Sequence, residues 1–367
     1  MTSSPSAKKF KPLLKRFQLP SFFINEKPFL FIVAMLFLVC ATAYNMPAYA
    51  RWIGFLIAGY SAIANDSIQT IGTFISSNKH RPWWLLWLFI GSIFIVTMSY
   101  SWITNTGDVS YGRLASKGFE QTPTSFAFFQ ISAPIFLLIL TRLKMPVSTT
   151  FLILTSFATS SKSIGKVLLK SFTGYFLAFG IAFLTWLVIS QLIKRFSEKK
   201  PHPMWFLAQW ITSGLLWSVW LMQDAANIAV FLPRQLSLIE FLGFLIPIVL
   251  GLGFLLKNKG AKIQEVVEEK SRTSDVRSAT VVDFIYAIIL FYFKIHSKIP
   301  MSTTWVFLGL LGGREIAMSI RHVSKYSFLS AVKLTLKDAS FALIGLAISF
   351  LVAMGSNAAM REQFLPF

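Results

Sequence analysis

Residues 57–76 read IAGYSAIANDSIQTIGTFIS, a run long and apolar enough to cross a bilayer, with Asn65, Asp66 and Gln69 at its centre. A helix needs about 20 apolar residues to span the hydrocarbon core. A carboxylate near the bilayer centre costs about 2.5–3.5 kcal/mol even on the lenient insertion scale. Such a residue persists only with a partner: a cation, a proton or a water-filled cavity. The stretch therefore predicts a buried membrane helix that holds something polar.

The rest of the chain agrees. Of 367 residues, 54% are hydrophobic, 16% aromatic and only 14% charged, with 37 Phe. Soluble domains carry about 25% charged residues, so a soluble globular fold is excluded. Apolar spans fall near 29–48, 52–77, 83–103, 126–141, 146–160, 172–193, 204–232, 236–256, 281–296, 301–313 and 339–355. The net charge of +20 sits in short clusters between them, at Lys8–Arg16, Lys194–Lys200 and Lys257–Arg277. Such clusters orient membrane proteins; with no continuous basic stripe, no nucleic-acid partner is expected. Cys40 is alone, and His80, His202, His296 and His322 lack metal-ligand spacing, so neither a disulfide framework nor a zinc site is expected. Ala41-Thr42-Ala43 loosely mimics a signal-peptide cleavage site, but the apolar run continues beyond it and reads as a retained span.

The chain repeats itself. Asn65-Asp66-x-x-Gln69 is matched by Gln223-Asp224-x-x-Asn227, and Pro146-Val147-Ser148-Thr149-Thr150-Phe151 by Pro300-Met301-Ser302-Thr303-Thr304-Trp305. Lys166–Lys170 is matched by Lys333–Lys337 in the same order. Loop 257–280 carries six Lys/Arg, whereas its counterpart 104–125 carries only Arg113 and Lys117, which fits repeats of opposite orientation. The expected fold is an all-α polytopic membrane protein. It has two inverted-topology repeats with broken or re-entrant helices at the midplane, plus one extra N-terminal helix. The expected divisions are a basic cytoplasmic tail 1–28, an extra helix 29–50, repeat one over 51–193, a loop 194–203, repeat two over 204–355 with the polar loop 257–280, and a tail 356–367. Five crossings per repeat put every large basic cluster inside except Lys162, Lys166 and Lys170, which fall outside. The expected location is the bacterial cytoplasmic membrane, as a multi-pass integral protein with its N-terminus in the cytoplasm.

Two constellations carry the chemistry. Asn65, Asp66, Gln69, Gln223, Asp224 and Asn227 combine carboxylates with amide oxygens, a hard-oxygen set suited to Na⁺ or, through the carboxyls, to H⁺. The plainer alternative is polar packing between helices, which two repeat-related copies make less economical. Ser148, Thr149, Thr150, Ser302, Thr303 and Thr304 stand at proline-marked helix starts. One copy is explained by capping; two copies, each before a short apolar stretch, present amides and hydroxyls suited to an oxyanion. Arg314-Glu315, Asp108, Glu120, Glu240 and Asp283 read as charged helix ends, and the tryptophans as interface anchors or packing.

Ala64-Asn65-Asp66-Ser67 resembles the Gly-Ala-Asn-Asp signature of the PiT inorganic phosphate transporters, and the two Pro-x-Ser-Thr-Thr segments resemble that family's second repeated motif. Ile63 replaces the usual glycine, Gln223 replaces an asparagine, and Phe151 and Trp305 stand where the family often has histidine. The resemblance implies a transporter rather than an enzyme: symport of inorganic phosphate with Na⁺ or H⁺ by alternating access, without a bound cofactor. Asn65, Asp66, Asp224 and Asn227 would serve the cation and substrate sites, and the six hydroxyl residues the phosphate. Sulfate or another oxyanion is the nearest rival substrate. A non-transporting sensor, and an intramembrane aspartyl protease built on Asp66 and Asp224, are the other readings; a homo-oligomer is left open.

Overall fold

The computed structural model describes residues 26–115, 118–143, 145–158, 160–197, 200–258, 275–357 and 361. The basic tail to residue 25, most of the polar loop 257–280 and nearly all of the final tail lie outside them. The described residues form helices and no strands: α1 Lys27–Ala43, α2 Pro47–Ser77, α3 Trp83–Thr104, α4 Phe128–Arg142, α5 Thr149–Leu152, α6 Ser161–Ser197, α7 Pro203–Ala229, α8 Leu238–Lys257, α9 Val276–His296, α10 Thr303–Ile320 and α11 Phe328–Ser356. A short 3₁₀ turn, Leu154–Phe157, follows α5.

Five of these helices are long and apolar enough to cross a membrane: Trp83–Thr104, Ser161–Leu192, Leu238–Lys257, Val276–His296 and Phe328–Ser356. α2 and α7 have the length, but they carry the carboxylate–amide motifs that dilute their apolar character. Large apolar side chains point outward all round, among them Phe31, Val96, Phe176, Val188, Ile239 and Leu351. In water that surface would be a severe liability; against lipid tails it is the required exterior.

Helix boundaries follow local chemistry. The first helix ends at Ala43, not near residue 48, because Pro47 sits in the first turn of α2, where a missing N–H costs nothing. Ser237 and Glu240 form a capping box at the start of α8. α5 stops after one turn: the Thr155 and Ser156 hydroxyls bond back to the carbonyls of Phe151 and Ile153, and Ala158 turns extended.

The second Ser-Thr-Thr segment behaves differently from its counterpart. It does not open a short helix ending near Gly313 but an 18-residue one running to Ile320. Gly312-Gly313 followed by two charges looks like a stop, yet these glycines serve packing. A Cβ on Gly309 would lie 2.2 Å from the Tyr175 carbonyl oxygen, and one on Gly313 2.1 Å from that of Phe179. α10 therefore touches α6 backbone to backbone, the close approach that small residues four apart allow. Gly313→Val is expected to force the pair apart and cost about 1–3 kcal/mol or more, read as a lower thermal unfolding midpoint in detergent.

α6 packs on α10 and α11 on α5; α3 packs on α7 and α2 on α8. α2 and α7, the carriers of the acidic motifs, meet each other.

Candidate functional site

All twelve residues singled out in the two motifs are buried, none more than 9% exposed. Each serine does what its position at a helix start dictates. Ser148 Oγ accepts from Phe151 N at 3.2 Å, and Ser302 Oγ from Trp305 N at 3.3 Å. The serines are therefore N-caps first, which the sequence left open, while each hydroxyl hydrogen can still serve as a donor.

The threonines tie the halves together. Thr150 Oγ1 donates to the Met301 carbonyl at 3.1 Å, and Thr304 Oγ1 to the Val147 carbonyl at 3.5 Å. In turn Gln69 Nε2 donates to Thr304 Oγ1 at 3.3 Å, and Asn227 Nδ2 to Thr150 Oγ1 at 3.1 Å. Each acidic motif thus reaches the Ser-Thr-Thr start of the other half, by matching residues at matching positions. Thr303 lies between Trp220, whose Nε1 donates to its hydroxyl at 3.3 Å, and Tyr286, whose hydroxyl donates to its carbonyl at 2.9 Å.

The two carboxylates differ in how fully they are engaged. Asp66 Oδ1 accepts from Asn65 Nδ2 at 2.6 Å and Gln69 Nε2 at 3.3 Å, and its Oδ2 accepts from the Thr149 hydroxyl. Asn65 is fixed in turn by the Val147 carbonyl at 3.0 Å and by Thr141 at 3.1 Å. Asp224 Oδ1 accepts from Asn227 Nδ2 at 2.5 Å, and the Thr303 hydroxyl also faces this carboxylate. Asp224 Oδ2, Asn227 Oδ1, Gln223 Oε1 and Gln69 Oε1 are buried and accept no hydrogen bond there. A buried acceptor without a donor costs about 1–3 kcal/mol. Four of them, all hard oxygens and one formally charged, fit a hard cation. A cavity of about 20 Å³, lined in part by Ile63, Trp217, Trp220 and Ile248, lies beside Asp224 and is large enough for one water-sized body.

Three charged residues expected at helix ends are elsewhere. Asp283 lies inside α9, 1% exposed, accepting from Thr73 at 2.7 Å and Ser213 at 2.5 Å. It joins α2, α7 and α9. Arg314 and Glu315 lie inside α10 and are buried; Arg314 stands 5.8 Å over the Trp186 ring, and Glu315 accepts from Ser324. Asp108 and Glu120 do hold loop amides, at Ser110, Gly112 and Gly118. Asp283→Ala leaves two buried hydroxyls without their acceptor. It is expected to destabilise by about 1–3 kcal/mol per donor, measured as a fall in unfolding midpoint without loss of monodispersity.

The fold and its lipid-facing shell define a multi-pass, all-helical membrane protein whose polar groups gather at the meeting point of two helix sets. No family model matches the sequence, and no curated protein matches it significantly. Among solved structures the chain is similar to one described as "The sodium-dependent phosphate transporter". The two share 18% sequence identity and a TM-score of 0.59, over 87% of this chain and 98% of that one. The likeness shows that this chain has the fold of that transporter.

Proposed function

We propose that this protein is a secondary active transporter that carries an oxyanion, inorganic phosphate foremost, together with Na⁺. The observation that carries the reading is the set of four buried oxygens without donors, on Gln69, Gln223, Asp224 and Asn227, set against two hydroxyl-rich helix starts. The oxygens would hold the cation; the hydroxyls of Ser148, Thr149, Thr150, Ser302, Thr303 and Thr304, with the amides opening α10, would receive the anion. A cation in a water-poor cavity lowers the cost of bringing an anion beside it, because opposite charges attract strongly there. The reverse holds equally, and this reciprocity is what symport requires.

The reciprocal bonds Gln69–Thr304 and Asn227–Thr150 support two structural repeats, 51–193 and 204–355, and opposite orientations in the membrane would give alternating access. The sodium dependence of the similar transporter and the hard-oxygen set both favour Na⁺ over H⁺ as the coupling ion. The basic clusters support a cytoplasmic N-terminus in a bacterial inner membrane.

The test is labelled phosphate uptake into proteoliposomes, under an imposed Na⁺ gradient and then a pH gradient, with sulfate as competitor. Accumulation driven by Na⁺ and resistant to equimolar sulfate is expected. Displacement by sulfate would move the substrate to that anion. No accumulation under either gradient, from correctly inserted protein, would favour the sensor.

A further inference from the structure

Resting on that reading, we propose that Arg113, Lys170, Lys294 and Lys298 form a second oxyanion station, a basic vestibule that gathers a free tetrahedral dianion before it reaches Ser302-Thr303-Thr304. The four groups come from three separate parts of the chain. Arg113 is on the loop between α3 and α4 and is 1% exposed. Its Nε donates to the Met222 carbonyl at 2.8 Å, and its Nη1 to those of Ile299 at 3.2 Å and Lys298 at 3.5 Å. It thus fixes α7, two residues before Asp224, to the segment leading into α10.

Lys170, half-buried on α6, donates to the Ser297 carbonyl at 3.3 Å and to that of Ile299. Its neighbour Ser171 accepts from Ser302 N at 2.8 Å, so this ammonium stands directly before the second Ser-Thr-Thr start. Lys294 lies 5.4 Å from the centre of the Tyr111 ring. Lys298 is exposed, and its Nζ would be 3.5 Å from a Cβ on Gly112.

Structural duty explains Arg113 and Lys170, which staple carbonyls. It does not explain why Lys294 and Lys298 join them. None of the three lysines makes an ion pair among the described residues. On the same loop, Asp108 has both oxygens taken by backbone amides, at 2.6 Å from Ser110 and 2.7 Å from Gly112, and Glu120 accepts from Gly118 N at 2.7 Å. Like charges held together repel, and low-dielectric walls focus their field into the space between them. A dianion entering that space offsets the repulsion and raises its own local concentration.

The test uses Lys298→Gln, Lys294→Gln with Lys298→Gln, and Lys170→Met in the full chain, reconstituted in phosphatidylcholine alone and with added phosphatidylglycerol. Steering by such a field is worth ~10-fold or more in encounter rate. Phosphate uptake is therefore expected to show a KM about tenfold higher in the double variant, with the maximal rate within about twofold, a weaker dependence of KM on ionic strength, and recovery in Lys298→Arg. The effect is expected in both lipid mixtures. Unchanged KM and salt dependence would overturn the vestibule; an effect confined to phosphatidylglycerol vesicles would assign the lysines to lipid headgroups and overturn it equally. If the wild-type protein transports nothing, the transport reading fails by itself. Titration of inorganic phosphate into purified wild-type and double-variant protein then decides the station separately: about tenfold weaker binding in the variant supports it, and equal affinities or no binding overturn it.

Discussion

Asp224→Asn is expected to lower Na⁺-driven phosphate accumulation at least about a hundredfold while leaving the protein folded, inserted and monodisperse. The carboxylate oxygen Oδ2 accepts no hydrogen bond among the described residues, and Oδ1 accepts from Asn227. An amide of the same shape can keep the Oδ1 bond, so little folding energy is at stake. What disappears is a formal negative charge on a buried oxygen that accepts no hydrogen bond among the described residues. Losing about 3 kcal/mol of cation affinity there corresponds to roughly two decades in binding. Labelled uptake in proteoliposomes, with a folding control by size-exclusion chromatography, measures it. Uptake near the wild-type rate would remove Asp224 from the cation site.

Asp66→Asn is expected to have the second-largest effect, with a different signature. Asp66 accepts from Asn65, Gln69 and Thr149, so it organises the first helix start as well as contributing charge. An amide can satisfy the donors on one side only, and its own N–H₂ must find acceptors on the other. Activity should again fall by about a hundredfold, now with a lower unfolding midpoint, because a buried network that is partly satisfied loses stability. Comparing unfolding midpoints separates the two acids: Asp224→Asn near the wild-type value, Asp66→Asn below it. Equal midpoints would mean the difference in their hydrogen bonding has no energetic weight.

The features legible in the sequence are those it states twice. Asp66 and Asp224 stand out because each interrupts an apolar run and each has amides at the same spacing. The Ser-Thr-Thr segments stand out because proline marks both. Groups present once were missed or misread. Asp283 shows nothing in sequence to separate it from a charged helix end; its meaning comes from Thr73 and Ser213, brought beside it by α2 and α7. Tyr286 and Trp220, which position Thr303, are ordinary aromatics until packing aims their donors. The length of α10 was misjudged because Gly312-Gly313-Arg314-Glu315 has the composition of a helix end. Whether glycine ends a helix or lets another helix approach depends on the neighbour, and a single sequence does not contain the neighbour. The boundary between the extra helix 29–50 and the segment 51–193 shows the same limit at smaller scale, since Pro47 starts α2 a few residues before it.

The central claim is that one site binds cation and anion with mutual gain. The most direct measurement is the affinity of the purified protein for inorganic phosphate, by titration calorimetry, with Na⁺ saturating and with Na⁺ replaced by choline. The coupling expected of a symporter tightens phosphate binding by about tenfold or more in Na⁺, and Asp224→Asn abolishes that gain. Equal phosphate affinities in Na⁺ and choline would contradict the account.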